Sequence, residues 1–381
     1  MLIPYSKQSI NKKDVQAVSE SLQDNFLTQG DKVKKFEKNI STLVKSKYVT
    51  VVNSATSALY MACRALNLKK NDEVWTSSNT FVATASAVIH CGLKIKFLDI
   101  NKNGNICICK LKEELFRAKK KNKLPKAIII VHFAGLPCYP VEIYSLSKRY
   151  NFKIIEDASH ALGSYYQGIP IGSCKHSDMC IFSFHAIKSI TTGEGGCVTT
   201  NKIYYEKELK KLRSHGITKD YKSLKRKKNG IFHWYYEVNN ISFNFRLTDF
   251  QCALGISQLK RLKSFISKRN DLANRYIKKL NQDKYELPYV SKGNRSAWHL
   301  FVIKVKNGKR NQLYKYLKKN KIISVLNYIP VFMHPFYKKQ TPKKAFRETI
   351  SYFKNAISIP IFFDLSTKQQ NFVINKLNKF Q

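Results

Sequence analysis

Three segments bring together residue types suited to covalent chemistry. In Phe182-Ser183-Phe184-His185-Ala186-Ile187-Lys188-Ser189-Ile190-Thr191-Thr192-Gly193-Glu194-Gly195-Gly196 a lysine lies in an aromatic, Gly/Thr-rich turn between two apolar runs. An amine in that setting is partly desolvated. It is held close to neutral and can form a Schiff base with a carbonyl. In Glu156-Asp157-Ala158-Ser159-His160-Ala161-Leu162-Gly163 acidic residues close another apolar run. A buried carboxylate is costly without a partner, and capping the next helix is the competing use for Asp157. In Asn53-Ser54-Ala55-Thr56-Ser57-Ala58 small residues open a helical pattern. Their N–H groups and hydroxyls, with the helix dipole, suit a phosphate, although close packing asks for the same residues.

These loops need strands to hold them. Tyr48–Val52, Val74–Thr76, Ile95–Ile100, Ala127–Val131, Lys153–Asp157, Met179–Ser183 and Gly196–Thr200 read as buried strands. Helical patterns follow at Leu59–Leu66, Phe81–His90 and Val141–Tyr150. Strands alternating with helices predict an α/β fold with a mostly parallel sheet covered on both faces. Ligands of such sheets bind at the carboxyl ends of strands, where all three loops fall. Between Asp157 and Lys188 there is room for one excursion and a return to the same sheet. From Thr248 to Leu280 a long helical stretch follows, then a strand at His299–Ile303, a helix at Gln312–Lys319, a strand near Ile322–Leu326 and a final helix at Thr367–Leu377. This predicts a large domain over 1–255 and a small α/β domain over 256–381.

Composition bounds the reading further. The 381 residues suit about two domains at ~150 residues each. Hydrophobic residues are 43% and charged ones 24%, which excludes a disordered chain. No run approaches the ~18 apolar residues of a membrane span, and Met1-Leu2-Ile3-Pro4-Tyr5-Ser6-Lys7 lacks the order of a signal peptide, so a cytoplasmic protein without a membrane partner is expected. Nine cysteines cannot all pair within one chain. Cys63, Cys91, Cys180, Cys197 and Cys252 lie in apolar runs, and Cys107 and Cys109, placed in a strand, have no second ligand pair near them; no metal site is expected. The net charge of +43 would attract nucleic acid. Its lysines are spread along the chain, with short blocks only at Lys119–Lys121 and Lys225–Lys228. That favours a solvated surface, without a nucleic-acid partner.

A phosphate cradle, a buried carboxylate and a buried lysine together match the needs of pyridoxal 5′-phosphate. The aldehyde takes the lysine, and a carboxylate keeps the pyridine nitrogen protonated so that the ring withdraws electrons. The sequence also resembles the DegT/DnrJ/EryC1/StrS sugar aminotransferases, of PLP-dependent transferase fold type I (aspartate aminotransferase-like). The resemblance rests on Asn53–Leu59, Thr80-Phe81-Val82-Ala83-Thr84-Ala85, Asp157–Gly163 and the Lys188 block. It runs from Leu27-Thr28-Gln29-Gly30 to beyond Pro330. Within the family the likeness is greatest to the pseudaminic-acid branch, through Arg213–Asp220, Trp234–Glu237, Phe243–Gly255, Asn327–Val331 and His334-Pro335.

The resemblance implies a seven-stranded sheet domain with a small C-terminal domain, and it implies roles. Lys188 would carry the Schiff base and shuttle the proton, and Asp157 would pair with the pyridine nitrogen. His160 would lie by the phenolic oxygen and Phe81 would stack on the ring. Ala55, Thr56 and Ser183 would hold the phosphate, with Asn244 reaching it from the other subunit of a homodimer. Thr28, Arg213, His215 and His334 would meet the nucleotide sugar. The implied reaction moves an amino group from L-glutamate to C4 of a UDP-linked 4-keto sugar. Rival readings are another nucleotide-linked keto sugar, such as a UDP-bacillosamine precursor or a dTDP-sugar, and a non-enzymatic basic nucleic-acid-binding protein. Many relatives carry His where this chain has Asn327, which removes an ionisable group there.

Overall fold

The computed structural model describes residues 2–220, 224–225, 234–340 and 346–381. Arg226, Lys227 and Lys228 of the second basic block, and Met1, lie outside the described residues. Seven five-residue strands build the main sheet: β1 (Tyr48–Val52), β2 (Glu73–Ser77), β3 (Lys94–Leu98), β4 (Ala127–Val131), β5 (Lys153–Asp157), then, after a two-residue hairpin of β6 (Tyr165–Tyr166) and β7 (Ile169–Pro170), β8 (Met179–Ser183) and β9 (Gly196–Thr200). Their order across the sheet is β1-β9-β8-β5-β4-β2-β3, and only β9 runs against the rest. That reversal matters for function. It returns the chain to the sheet edge where β1 and β8 end, so Gly196 pairs with both Val52 and Ser183.

Alternation along the strands feeds two faces. Ile129, Ile155, Ile181 and Val198 pack with α3 (Ala55–Ala65), α4 (Val82–His90) and α7 (Ile203–Arg213). The opposite positions, Ile128, Ile130 and Ile154 on one half and Cys180, Phe182 and Cys197 on the other, are buried too. They are covered by α5 (Ile108–Lys120) and α6 (Pro140–Tyr150) and by α2 (Asp31–Val44), α8 (Asp249–Leu259) and α9 (Leu262–Lys279). Burial on both faces is why these strands read as continuous apolar runs. Each large side chain so buried contributes about 1.5–3 kcal/mol.

The Thr248–Leu280 stretch is two helices, not one. Thr248 and Gln251 form a capping box that starts α8, and the chain breaks at Lys260–Arg261 before α9 begins. At this break Arg261, Gln258 and Ser257 converge on the fully buried carboxylate of Asp14, on α1 (Lys12–Leu22), and staple the N-terminal helix to the junction. Helices α1, α2, α5 and α7 were not among the sequence expectations, since dense lysines blur their apolar periodicity. Cys107 and Cys109 are likewise not in a strand: Cys107 caps α5 and Cys109 lies in its first turn. All nine cysteines are unpaired.

The later part of the chain forms a second, antiparallel sheet. Between the two sheets β10 (Ile217–Thr218) and β11 (Glu237–Val238) pair as a small ribbon. Then β12 (Tyr285–Glu286), β13 (Phe301–Val305) and β14 (Ala356–Ile359) line up around β13, with α10 (Arg310–Lys319), α11 (Arg347–Asn355) and α12 (Thr367–Lys379). The expected strand near Ile322–Leu326 is reduced to single bridges, Ile3 to Ile322 and Val325 to Ser358. Ile3 is thus buried in the core of the later sheet, so the very start of the chain belongs to that unit in space. Among the described residues no helix is long and apolar enough to cross a membrane, and no group of three or more His, Cys, Asp or Glu could hold a metal ion.

Candidate active site

The strand ends enclose a cavity of about 450 Å³. Ser54, Ala55 and Thr56 enter it from the start of α3, Phe81 from the start of α4, Asp157 from the end of β5 with Ser159 and His160 just after it, and Ser183 from the end of β8 with Lys188 in the connection that follows. A wider hollow of about 790 Å³ lies against α1, where Lys12 and Glu20 are the only ionisable residues.

The floor beneath α3 depends on a missing side chain. Ser54 caps the helix by accepting a hydrogen bond from the Ser57 amide at 3.1 Å. A Cβ on Gly196 would stand 2.6 Å from the Ala55 nitrogen and 2.7 Å from the Ser54 carbonyl carbon. Only glycine lets β9 pass this close under the helix start. The amides of α3 then open onto the cavity, where an anion is favoured.

Lys188 follows a turn closed by its amide on the His185 carbonyl at 3.0 Å. The side chain keeps partial access to the cavity. Burial pushes its amine down from the usual lysine range to about 8, partly opposed by Asp157. Asp157 is buried at the end of β5. Its Oδ1 accepts from the Ser159 amide (3.1 Å) and hydroxyl (2.6 Å), and its Oδ2 from the Thr84 hydroxyl (2.7 Å). Thr84 in turn meets the Thr80 hydroxyl at 2.7 Å. Every donor to this carboxylate is neutral, so its charge remains available to a cation in the cavity.

His160 is buried with its Nδ1 accepting the Ala134 amide at 3.2 Å and its Nε2 3.1 Å from the Tyr328 hydroxyl. Ala134 delivers that amide from φ 58, a backbone region that favours glycine, and Gly135 follows at φ 91. The His160 and His299 rings lie 4.3 Å apart. Burial, then nearby Lys188, holds His160 well below the ordinary histidine range; burial, then His160 and Lys188, does so for His299. The buried Nδ1 of His299 has no hydrogen-bond partner.

Seven of the expected residues therefore share one cavity: Ala55, Thr56, Phe81, Asp157, His160, Ser183 and Lys188. Five do not line it. Asn244 is exposed; its carbonyl accepts from Asn53 and its side chain holds the Arg246 amide. Arg213 is drawn to Glu37 at 2.8 Å, with both side chains largely buried. His215 is exposed at φ 59, Thr28 bridges Thr248 on the surface, and His334 is half-buried after a short helical turn. The cavity also contains Tyr5, Thr80, His185, Glu194, His299, Asn327 and Tyr328. Tyr5 and His299 had no local motif to mark them; Tyr328 lay within the Asn327–Val331 motif, and Glu194 and His185 within the Lys188 segment, each without a role.

These residues fit pyridoxal 5′-phosphate on structural grounds. A near-neutral amine and a carboxylate fed only by neutral donors face one cavity, next to a helix start that only Gly196 leaves open. The comparisons agree. The model of the DegT/DnrJ/EryC1/StrS aminotransferase family matches residues 8–378. The chain is 36% identical, over 99% of its length and 96% of the relative's, to the UDP-4-amino-4,6-dideoxy-N-acetyl-beta-L-altrosamine transaminase of Campylobacter jejuni subsp. jejuni serotype O:23/36. It is 35% identical to the spore coat polysaccharide biosynthesis protein SpsC of Bacillus subtilis, over 98% and 95%. The solved structure of Helicobacter pylori PseC, an aminotransferase of pseudaminic acid biosynthesis, superposes with a TM-score of 0.90 at 30% identity, covering 100% of this chain and 99% of that one. The chain belongs to the DegT/DnrJ/EryC1/StrS aminotransferase family and is a pyridoxal-phosphate-dependent enzyme of fold type I.

Proposed function

We propose that the enzyme transfers the amino group of L-glutamate to C4 of a UDP-linked 4-keto-6-deoxy-N-acetylhexosamine, giving UDP-4-amino-4,6-dideoxy-N-acetyl-β-L-altrosamine. The observation that carries this reading is the end-to-end match to a transaminase of that name, with Lys188 and Asp157 facing one cavity. A nearly equal identity, 35%, to a spore coat polysaccharide biosynthesis protein whose name specifies no altrosamine supports another nucleotide-linked keto sugar as the second reading.

When bound, pyridoxal phosphate supplies a carbonyl and an electron-withdrawing ring. Lys188 anchors the carbonyl. Its near-neutral Nζ, when free, would take a proton from the donor Cα in one half-reaction and deliver one to the sugar C4 in the other. Asp157 would keep the ring nitrogen protonated, Phe81 would cover the ring, and His160 would serve the phenolic oxygen. Ala55, Thr56 and Ser183 hold the phosphate. Asn244, exposed and outside its own cavity, completes the phosphate site of the neighbouring subunit in a cytoplasmic homodimer. Thr28, Arg213, His215 and His334 lie toward the nucleotide sugar, with Arg213 released from Glu37 or acting through it.

Incubation with glutamate and a panel of UDP- and dTDP-linked 4-keto sugars, followed by NMR of the products, tests the reading. The expected product is the altrosamine derivative, with 2-oxoglutarate in equal amount. Turnover confined to another keto sugar would move the enzyme to the second reading.

A further inference from the structure

His160 has two ring nitrogens and two different neighbours. The Ala134 amide at 3.2 Å can only donate, so Nδ1 must be the unprotonated nitrogen. Burial and Lys188 disfavour the charged ring, so His160 is neutral and carries its one proton on Nε2. That nitrogen faces the Tyr328 oxygen at 3.1 Å and donates to it. The tyrosine oxygen is therefore an acceptor toward His160, and its own proton is directed elsewhere.

The neighbours of the hydroxyl direct that proton toward the cavity: the Asn327 side chain also hydrogen-bonds to the Tyr328 oxygen, as a donor, and its own Oδ1 already accepts from Ser358 at 2.8 Å. The Tyr328 ring stands 5.6 Å from the Phe81 ring and 6.2 Å from the Phe133 ring, both carbon surfaces. Its backbone amide donates to Asn79 Oδ1 at 3.3 Å, and Asn79 donates onward to the Gly104 carbonyl at 3.1 Å, so the residue is tied to the loop after β2. Its remaining polar side opens on the cavity it helps to line. We propose that the Tyr328 hydroxyl is a further hydrogen-bond donor of the active cavity, oriented by His160 to present its proton to an acceptor oxygen of a bound ligand. That oxygen belongs either to the keto or hydroxyl groups of the sugar or to the phenolic oxygen of the cofactor. This rests on the proposed function only for the sugar.

The test has two parts. In the cofactor-free protein with 15N-labelled histidine, long-range proton–nitrogen NMR should find His160 protonated at Nε2 and bare at Nδ1. A proton on Nδ1 would overturn the proposal whatever reaction the enzyme runs. Tyr328→Phe keeps the ring contacts and removes only the oxygen. If the cofactor takes the proton, this variant shifts the bound cofactor's absorbance or weakens its dissociation constant by about tenfold without any substrate. If the sugar takes it, cofactor binding and the glutamate half-reaction stay unchanged while the KM for the keto sugar rises by about tenfold. Either result supports the donor role. No change in cofactor affinity, absorbance or either half-reaction would overturn it. Should no keto sugar react at all, the NMR and cofactor measurements still decide, so the two readings fail separately.

Discussion

The hydroxyl of Thr84 stands 2.7 Å from Oδ2 of Asp157, tying the first turn of α4 to the end of β5. With Ser159 on the other oxygen, the carboxylate is fixed in direction by neutral donors. Asp157→Asn keeps an oxygen for Ser159 and should leave the fold and cofactor binding in place. Because a neutral amide cannot keep the ring nitrogen protonated, turnover should fall by several orders of magnitude, each tenfold step worth ~1.4 kcal/mol of barrier. Rates within a few-fold of wild type, with normal circular dichroism, would reduce Asp157 to a residue that only holds the turn at Ser159; no helix follows it for it to cap.

Lys188 carries the second expectation. Its amine titrates near 8 when folded and higher when unfolded, so the folded state binds fewer protons between those values. Stability from this group therefore rises as pH climbs from about 8 towards the unfolded lysine value, and the burial cost is fully present below 8. In the cofactor-free protein, Lys188→Met should raise resistance to urea at pH 7 by on the order of 2 kcal/mol after allowance for solvent reaching the amine. The gain should vanish near pH 11. Lys188→Ala should in addition abolish transamination while the circular dichroism stays native.

Gly196 offers a test of the cradle that touches no reactive group. In Gly196→Ala the new methyl would meet the Ala55 nitrogen at 2.6 Å and push the start of α3 away from β9. Cofactor affinity should fall at least tenfold, and the protein should lose about 1–3 kcal/mol of stability. At Gly168 a Cβ meets nothing within 4 Å, so Gly168→Ala adds only backbone strain at φ 79 and should leave cofactor affinity unchanged. Equal cofactor dissociation constants for both variants would show that the close approach is irrelevant to the site.

The proposed shared site can be examined by mixing two inactive proteins. Lys188→Ala removes the amine from one set of sites, and Asn244→Asp would set a carboxylate against the neighbour's phosphate. Subunit exchange between them should restore about a quarter of wild-type activity, from one intact site in each mixed dimer. A mixture that stays inactive, although mass spectrometry shows exchange, would place Asn244 in the service of its own chain.

Local chemistry accounts for what was legible in advance. The inner strands of the sheet are buried on both faces, so they appear as apolar runs, whereas the edge strand β3 alternates with Lys94 and Lys96 on its open face; five of the expected strand spans, such as Lys153–Asp157 and Met179–Ser183, coincide with the structure. Asp157 and the Ser54–Thr56 turn are legible for a related reason, since each lies at or just past the end of such a strand, where polar residues interrupt an apolar pattern; Lys188 stands out within the connection from β8 to β9. The α helices rich in lysine escaped notice because their buried faces are narrow and interrupted, as in α5, where Leu111, Leu115 and Ala118 alone are buried.

Contacts between distant segments had no such signature. Tyr328 reaches His160 across 168 residues, Thr84 reaches Asp157 across 73, and Arg213 is held by Glu37 across 176. The sequence by itself determined the residue types and the strand ends that carry them, because burial of a strand and the start of a helix are local properties. Tertiary structure alone decided which side chains face one another, since His160's tautomer depends on an amide at Ala134 and a hydroxyl at Tyr328 that only the folded packing brings to the same ring.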